Sequence, residues 1–237
     1  NDPFIRITDA VGYNLYYGWY GGNIEDNGKW LDEFHRLNPN KPIGVSEYGC
    51  ESLDWHSNNP IAWDFTEEFH AHFHEELIKQ LYTRDYLWIR ICWNMFDYAA
   101  DGRNEGGMPG QNRKGLVTID RQYKKDSFYA YKAWLNPEPM VHICSKRYID
   151  RVEDVTKVTV YSNCPEVELF VNGTSYGKRT FAAKKTEFSS EDEENRNQME
   201  RFRLIWDNVI YEAGEITAIG YKNGVEAMRK TVKTAGE

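Results

Sequence analysis

No long apolar segment occurs in this sequence. Across 237 residues, no uninterrupted apolar run approaches the roughly 20 residues that a membrane-spanning helix requires. The chain opens with Asn1-Asp2-Pro3, whereas a secretory signal would show a basic stretch followed by an apolar one. We therefore predict a soluble chain with no membrane partner. Its compartment stays unassigned, and the periplasm and the cell exterior both remain open for the full-length protein.

Positive charge is also scarce. The chain has 29 Lys and Arg residues against 37 Asp and Glu residues, a net charge of -8, and no basic stripe. Proteins that bind nucleic acids concentrate Lys and Arg on one face or along one helix. The sequence therefore predicts no nucleic-acid partner.

Cysteine is sparse and follows neither a metal-binding nor a disulfide pattern. The four cysteines form no Cys-x-x-Cys pair, and two of them lie inside apolar, strand-like runs. They are Cys50, Cys92, Cys144 and Cys164. This arrangement predicts buried thiols.

Three histidines alternate along one predicted helix. His70 and His74 have the i, i+4 spacing of a metal-binding pair. No third ligand is apparent in the sequence, so we interpret His70, His72 and His74 as a solvent-facing stripe. We predict neither a metal nor a cofactor.

Aromatic residues, in contrast, are abundant. They make up 15% of the chain, with 8 Trp and 16 Tyr, and many of them lie near the ends of predicted strands. Flat aromatic rings cover the apolar faces of pyranoses. This composition is typical of proteins that bind sugars.

The pattern of the chain changes near residue 140. Before it, apolar runs at 11–17, 42–47 and 87–93 alternate with helical patterns at 27–37, 66–81 and 127–134. Such an order is typical of parallel βα units. The helix at 66–81 carries Phe65, Phe69, Phe73, Leu77 and Leu81 at nearly four-residue spacing, which predicts a stripe packed against a sheet. We assign residues 1–138 to a first domain.

Residues 139–237 follow a different pattern. Short alternating strands are predicted at 157–162, 167–171, 201–206 and 215–221. The dipeptides Asn172-Gly173 and Asn223-Gly224 favour tight hairpin turns. These features predict a second domain that is a β-sandwich. The polar, mostly acidic stretch 189–198 is predicted to be a solvated loop.

The predicted strand ends carry the candidate chemistry. In parallel βα architectures, catalytic side chains project from the carboxyl ends of strands. Glu47 ends the second apolar run, as a nucleophilic carboxylate would, although a lone glutamate at a strand end is more commonly a surface residue. The other two runs end in aromatic and hydrogen-bonding residues, within 13–20 and 92–98. Each of those clusters alone is equally consistent with core packing.

Five motifs in order carry a resemblance to a known family. They are Asn-Leu-Tyr-Tyr-Gly-Trp-Tyr at 14–20, Pro-Ile-Gly-Val-Ser-Glu-Tyr-Gly at 42–49, Trp-Asn-Met-Phe-Asp-Tyr at 93–98, Asn-Arg-Lys-Gly-Leu-Val at 112–117 and Asp-Arg-Gln-Tyr-Lys-Lys-Asp-Ser-Phe-Tyr at 120–129. This set resembles glycoside hydrolase family 2, which includes β-galactosidases, β-glucuronidases and β-mannosidases. The resemblance implies an α/β plus all-β chain: strands 6 to 8 of a (β/α)8 TIM barrel, followed by an immunoglobulin-like β-sandwich.

The resemblance also implies roles for individual residues. Glu47 matches the catalytic nucleophile, and Tyr16 matches the tyrosine that hydrogen-bonds to it. Trp93 matches the indole at the floor of the sugar subsite, with Asn14 and Asp97 lining the same pocket. Retaining enzymes of this kind need a second carboxyl group about 5 to 5.5 Å from the nucleophile.

That second carboxyl group is where the sequence departs from the family. Members carry the acid/base in an Asn-Glu pair upstream of the nucleophile, and no such pair precedes Glu47 here. Asn104-Glu105 has the right residues but lies after the last predicted barrel strand. We therefore expect this chain to be a fragment, inactive by itself, whose partner is the missing N-terminal part of the parent chain.

The substrate is predicted to be a β-linked glycoside. Asn112-Arg113-Lys114 has the Asn-x-Lys form that glucuronidases place against a sugar carboxylate, so Asn112 and Lys114 are candidate binding residues. The long sandwich tail favours a β-galactosidase, with β-glucuronidase as the alternative. A non-catalytic carbohydrate-binding or assembly fragment is the alternative of another class. The oligomeric state stays open.

Overall fold

The computed structural model describes residues 3–57, 65–145, 155–180 and 202–233. It divides into two compact units, Asn1–Ser127 and Phe128–Glu237. The predicted domain boundary, after residue 138, lies eleven residues further along the chain than this division. The predicted acidic loop at 189–198 lies outside the described residues.

The first unit is built on three parallel strands. After a 3-10 turn at Pro3–Arg6 come β1 (Val11–Asn14), α1 (Asp26–Leu37), β2 (Ile43–Glu47), α2 (Glu67–Tyr82) and β3 (Leu87–Arg90). The strand order is β1-β2-β3, and both pairs are parallel. The predicted alternation of strand and helix is therefore present. Two short antiparallel strands follow, β4 (Tyr98–Ala99) and β5 (Gln111–Asn112).

Local chemistry explains where α2 begins and how it packs. Thr66 caps the helix, since its side chain accepts a hydrogen bond from the Phe69 N–H at 3.1 Å. The predicted apolar stripe is confirmed, because four of its members are buried: Phe69, Phe73, Leu77 and Leu81. Phe65 lies just before the helix and is only partly buried.

The predicted solvent-facing histidine stripe on α2 is wrong. His70 and His74 have no exposed surface, and His72 is half-buried. His70 and His74 directly follow the buried Phe69 and Phe73 in sequence, so they lie on the buried side of the helix. The imidazole of His74 packs near the ring of the buried Tyr48, with centroids 6.2 Å apart.

Helix α3 (Asp126–Leu135) spans the division, and the second unit continues with antiparallel strands. These are β6 (Val141–Ile143), β7 (Val155–Ser162), β8 (Glu166–Val171), β9 (Thr174–Thr180), β10 (Arg203–Ile210), β11 (Glu215–Lys222) and β12 (Val225–Lys233). One sheet has the order β10-β7-β6 and the other β12-β11-β8-β9. Residues from both sheets form one apolar core, which includes Val160, Leu169, Trp206 and Ala218.

Both predicted hairpin turns are present. Asn172-Gly173 joins β8 to β9, and Asn223-Gly224 joins β11 to β12. All four residues have positive φ, from +49° to +81°, which is the geometry of a type I′ turn. Asn and Gly are the residues that tolerate this left-handed conformation best.

Two further expectations can be compared with the structure. Cys50 and Cys164 are buried thiols, as predicted, whereas Cys92 and Cys144 are only half-buried. Within the described ranges, no helix is both long and apolar enough to cross a membrane.

Candidate active site

Glu47 is the last residue of β2, and its carboxylate has a defined partner. The Tyr16 hydroxyl donates a hydrogen bond to Glu47 Oε2 at 2.8 Å. The backbone supports this pairing, since Leu15 N–H donates to the Glu47 carbonyl at 2.8 Å. Burial and the neighbouring Glu47 raise the pKa of Tyr16 far above its ordinary value. The phenol is therefore a permanent donor to this carboxylate at neutral pH.

A close backbone contact joins the loops that follow β2 and β3. Trp93 N–H donates to the Tyr48 carbonyl at 2.8 Å. A Cβ at Gly49 would lie 2.2 Å from the Trp93 carbonyl oxygen, so only glycine allows this approach. Trp93 itself is half-buried and meets Tyr98 edge to face, with centroids 6.1 Å apart. Glu47, at the end of β2, and Trp93, in the loop after β3, thus lie at one edge of the sheet.

Asn14 also lies at this edge. It ends β1 directly beside Glu47 in the strand register, and its side chain is exposed. Its Oδ1 accepts a hydrogen bond from Ser46 Oγ at 2.8 Å. The three predicted residues Asn14, Tyr16 and Glu47 therefore form one continuous rim.

Asp97 occupies a different environment from the one expected of a pocket-lining residue. It is fully buried, and its carboxylate accepts from Lys125 Nζ at 3.1 Å and from Gly115 N–H at 2.8 Å. Arg113 lies 3.5 Å away. Burial raises the pKa of Asp97, and the nearby Lys125 partly offsets this effect. Its oxygens are used inside the chain, which favours a role in holding the segment 112–115 in place.

Lys114 sits in an aromatic enclosure next to Tyr16. Its ammonium donates to the Tyr20 hydroxyl at 2.8 Å and lies 5.7 Å from the centre of the Tyr16 ring. Asn112 Oδ1 accepts from the Lys114 backbone N–H at 3.0 Å, which fixes the turn that points this side chain inward. Burial lowers the pKa of Lys114, and the nearby Glu51 opposes that shift.

An ionic network that the sequence did not reveal surrounds this lysine. Arg103 Nη2 lies 2.6 Å from Glu51 and 2.7 Å from Glu105, and Glu51 lies 3.6 Å from Lys114. The Tyr20 hydroxyl donates to Glu105 at 2.7 Å. The sequence held one signal, because Glu51 follows Glu47 by four residues in the same strand-end segment.

Glu105 directly follows Asn104, as the acid/base glutamate follows an asparagine in family 2. In the structure it accepts from the Tyr20 hydroxyl and pairs with Arg103. Both contacts use Glu105 as an acceptor, whereas an acid catalyst must donate a proton. Its position therefore does not favour that role.

A second group of side chains with ligand chemistry lies in this unit. The ligand atoms of Cys50, His70 and His74 come within 4.8 Å of one another. Cys50 is the third side chain of this group, and the spacing of the two histidines did not indicate it.

Several known glycosidases are similar to this chain in sequence or in structure. A β-glucuronidase from Bacteroides fragilis is 36% identical over 216 residues, covering 88% of this chain and 29% of the relative. The crystal structure of an FMN-binding β-glucuronidase from Faecalibacterium prausnitzii L2-6 superposes with a TM-score of 0.80 at 40% identity, covering 98% of this chain and 33% of that one. The resemblance to glycoside hydrolase family 2 is confirmed.

Two further matches extend the family 2 comparison. The β-galactosidase BoGH2A from Bacteroides ovatus is 23% identical over 235 residues, covering 99% of this chain and 24% of the relative. Residues 153–228 match a family model described as a domain of unknown function, DUF4982. The chain thus spans a third or less of the length of the family 2 relatives it matches.

Proposed function

We propose that this chain is part of a retaining exo-β-glycosidase in which Glu47 is the nucleophile. The observation that carries the proposal is the 2.8 Å hydrogen bond from Tyr16 to a carboxylate at the carboxyl end of a parallel strand. A nucleophilic carboxylate must be held in a fixed orientation, and a phenol donor provides this through a charge-assisted hydrogen bond. In this reading β1, β2 and β3 are the last three strands of an eight-stranded barrel, and the following domain is an immunoglobulin-like sandwich.

The proposed mechanism has two steps. Glu47 attacks the anomeric carbon as the leaving group is protonated, and water then hydrolyses the glycosyl-enzyme. We propose that the acid/base carboxyl group comes from a part of the protein outside this chain. The length of the relatives supports this view, since this chain spans only 29% of the Bacteroides fragilis enzyme.

A β-glucuronide is the proposed substrate. The two most similar proteins above are both named β-glucuronidases. The ammonium of Lys114 lies 5.7 Å from the ring of the phenol that holds Glu47, so it is close enough to attract the carboxylate of a hexuronic acid. Asn112 fixes the turn that presents this lysine. This ranking reverses the preference for a galactoside that the sandwich tail suggested.

A β-galactoside is the second candidate. The match to BoGH2A covers nearly the whole chain, and that protein is named a β-galactosidase. The partners of Lys114 also allow this reading, because Glu51 and Tyr20 already occupy the ammonium within the chain. A lysine engaged in this way can shape the pocket without contacting an anionic sugar.

Variants of the full-length protein test the nucleophile. Glu47→Gln is expected to lower kcat on a chromogenic β-glucuronide at least about a thousandfold, because no carboxylate remains to form the glycosyl-enzyme. Glu33→Gln, at an exposed position on α1, is the matched control and should retain wild-type activity. A mechanism-based fluoroglycoside should label Glu47, as located by peptide mass spectrometry. Undiminished turnover in Glu47→Gln would refute Glu47 as the nucleophile, and a wild-type protein that hydrolyses neither a β-glucuronide nor a β-galactoside would leave the non-catalytic carbohydrate-binding reading.

A substitution at Lys114 separates the two substrates. Lys114→Met should lower kcat/KM on the glucuronide by about tenfold or more, the loss of one charge-assisted contact, and affect the galactoside much less. Equal losses on both substrates would count against a contact between Lys114 and the sugar carboxylate. A wild-type protein that hydrolyses only the galactoside would establish the second candidate.

A further inference from the structure

Three buried side chains in the first unit have the chemistry of metal ligands. Cys50 lies three residues beyond Glu47, and His70 and His74 lie one turn apart on α2. All three have no exposed surface, and their ligand atoms lie within 4.8 Å of one another. The two imidazole rings are 4.5 Å apart at an angle of 60°. The spacing of the two histidines on α2 and the course of the loop after β2 thus bring the three ligand atoms together.

The ring nitrogens of His70 indicate that a bound group belongs between these three side chains. Within the described part of the chain, neither of its ring nitrogens makes a hydrogen bond, although the residue is completely buried. The backbone of Lys114 faces His70 and acts to raise its pKa, but the contact does not reach hydrogen-bond geometry. A buried imidazole with both nitrogens unsatisfied is costly, and a metal ion would use one of them.

The ligand chemistry suits metal binding. A neutral imidazole and a thiolate are the forms that ligate metals, so binding at these three side chains releases the proton of the Cys50 thiol.

The nearby positive charges are already compensated. Lys125 is the cation that acts on both imidazoles, and its ammonium lies 3.1 Å from the Asp97 carboxylate. Lys114 acts on Cys50 and lies 3.6 Å from Glu51. Each lysine therefore contributes little net repulsion to a dication held by a thiolate and two neutral imidazoles.

We infer that Cys50, His70 and His74 bind one Zn²⁺ ion. Thiolate and imidazole together select zinc over harder cations such as Mg²⁺ or Ca²⁺. In a tetrahedral site these ligand atoms lie about 3.3 to 3.6 Å apart, so a contraction of roughly 1 Å forms the site. One position is left for a small oxygen donor, and Cys50 releases one proton on binding. The ion would tether α2 to the loop that follows the proposed nucleophile.

Metal analysis of the full-length protein tests this inference. Protein expressed with added zinc and then dialysed should contain about one Zn²⁺ per chain, as measured by inductively coupled plasma mass spectrometry. Replacement by Co²⁺ should give a thiolate-to-cobalt charge-transfer band. Cys50→Ser should abolish that band, and His74→Gln should lower the zinc content at least tenfold. His72→Gln on the same helix and Cys164→Ser in the second unit are the matched controls, and both should keep the metal.

The outcomes are decisive even where a variant folds poorly. Wild-type protein that holds well under one zinc per chain, or that binds Co²⁺ without a thiolate band, overturns the inference. Equal metal content in wild type, Cys50→Ser and His74→Gln overturns it as well. None of these readouts depends on glycosidase activity, so failure of the metal site and failure of the proposed function can be told apart.

Discussion

The two units bury very different side chains. Within the described part of the second unit, the core consists of aliphatic residues, Trp206 and Cys164, and the buried polar side chains are His142 and Ser162. The first unit buries a set of charged groups, each at most 5% exposed: Glu51, Glu67, Asp97, Arg113, Lys114 and Lys125. Apolar burial stabilises a fold at little risk, whereas each buried charge depends on its partner. The core of the first unit, where the candidate site lies, therefore depends on buried ion pairs whose loss is costly.

The largest effect is expected at the centre of that charged core. Asp97→Asn removes the carboxylate that accepts from Lys125 and leaves this fully buried ammonium without the carboxylate that pairs with it, while Arg113 keeps its ion pair with Asp54. Breaking a buried pair in this way costs about 3 to 5 kcal/mol in the free energy of unfolding. Chemical denaturation of the full-length protein, followed by fluorescence, measures it. The exposed Asp85→Asn should unfold like wild type, and a loss below about 1 kcal/mol at Asp97 would show that Lys125 is held by other groups.

A cavity in the second unit should produce a loss of the same order by another mechanism. Leu169 is fully buried in the apolar core, so Leu169→Ala is expected to cost about 2 to 5 kcal/mol through lost burial and an unfilled void. Val225→Ala, at a side chain that is 69% exposed, is the control and should change little. Unlike the loss at Asp97, the loss at Leu169 should not vary with salt concentration. A salt-dependent loss of stability in Leu169→Ala would mean that electrostatic interactions also contribute to the apolar core of the second unit.

The same contrast explains which elements could be predicted from sequence. The helix α2 was predictable because an N-cap and a regular apolar stripe both mark it. Strands β9 and β12 were missed because both lie at sheet edges and are largely exposed, so no apolar alternation marks them. Strand β6 is only three residues long.

The candidate site divides in a similar way. The resemblance and the strand-end rule led to Glu47 and Tyr16, and the structure brings the two together. The network of Arg103, Glu51 and Glu105 could not be predicted, because the contacts that assemble it, Arg103 with Glu51 and Tyr20 with Glu105, join residues 52 and 85 positions apart whose charges look like those of ordinary surface residues. The buried histidines were predicted to face solvent because they alternate with other residues along a charged helix, and the loop that brings Cys50 to them has no pattern in the sequence that predicts this contact.

A smaller effect is expected at the hydrogen bond that carries the proposed function. Tyr16→Phe removes a charge-assisted bond worth about 1.5 to 3 kcal/mol, which corresponds to a loss of roughly 10- to 150-fold in kcat. Since burial and Glu47 hold the Tyr16 pKa far above neutrality, the phenol is protonated on both sides of pH 7. The loss should therefore be constant from pH 6 to pH 8, measured as kcat of the full-length protein. Tyr17→Phe is the neighbouring control, and a loss seen only at alkaline pH would contradict this account.

The smallest effect concerns backbone geometry in the second unit, where no charge is involved. Gly173 has φ of +81°, and a Cβ there would have no heavy atom within 4 Å, so Gly173→Ala tests conformational strain alone. A left-handed alanine costs about 1 to 2 kcal/mol. Gly102→Ala in the first unit is the matched control, because its Cβ also meets nothing within 4 Å and its φ lies outside the left-handed region. Equal stability of the two variants in denaturant titration would mean that the β8–β9 turn relaxes to a conformation that alanine adopts without strain.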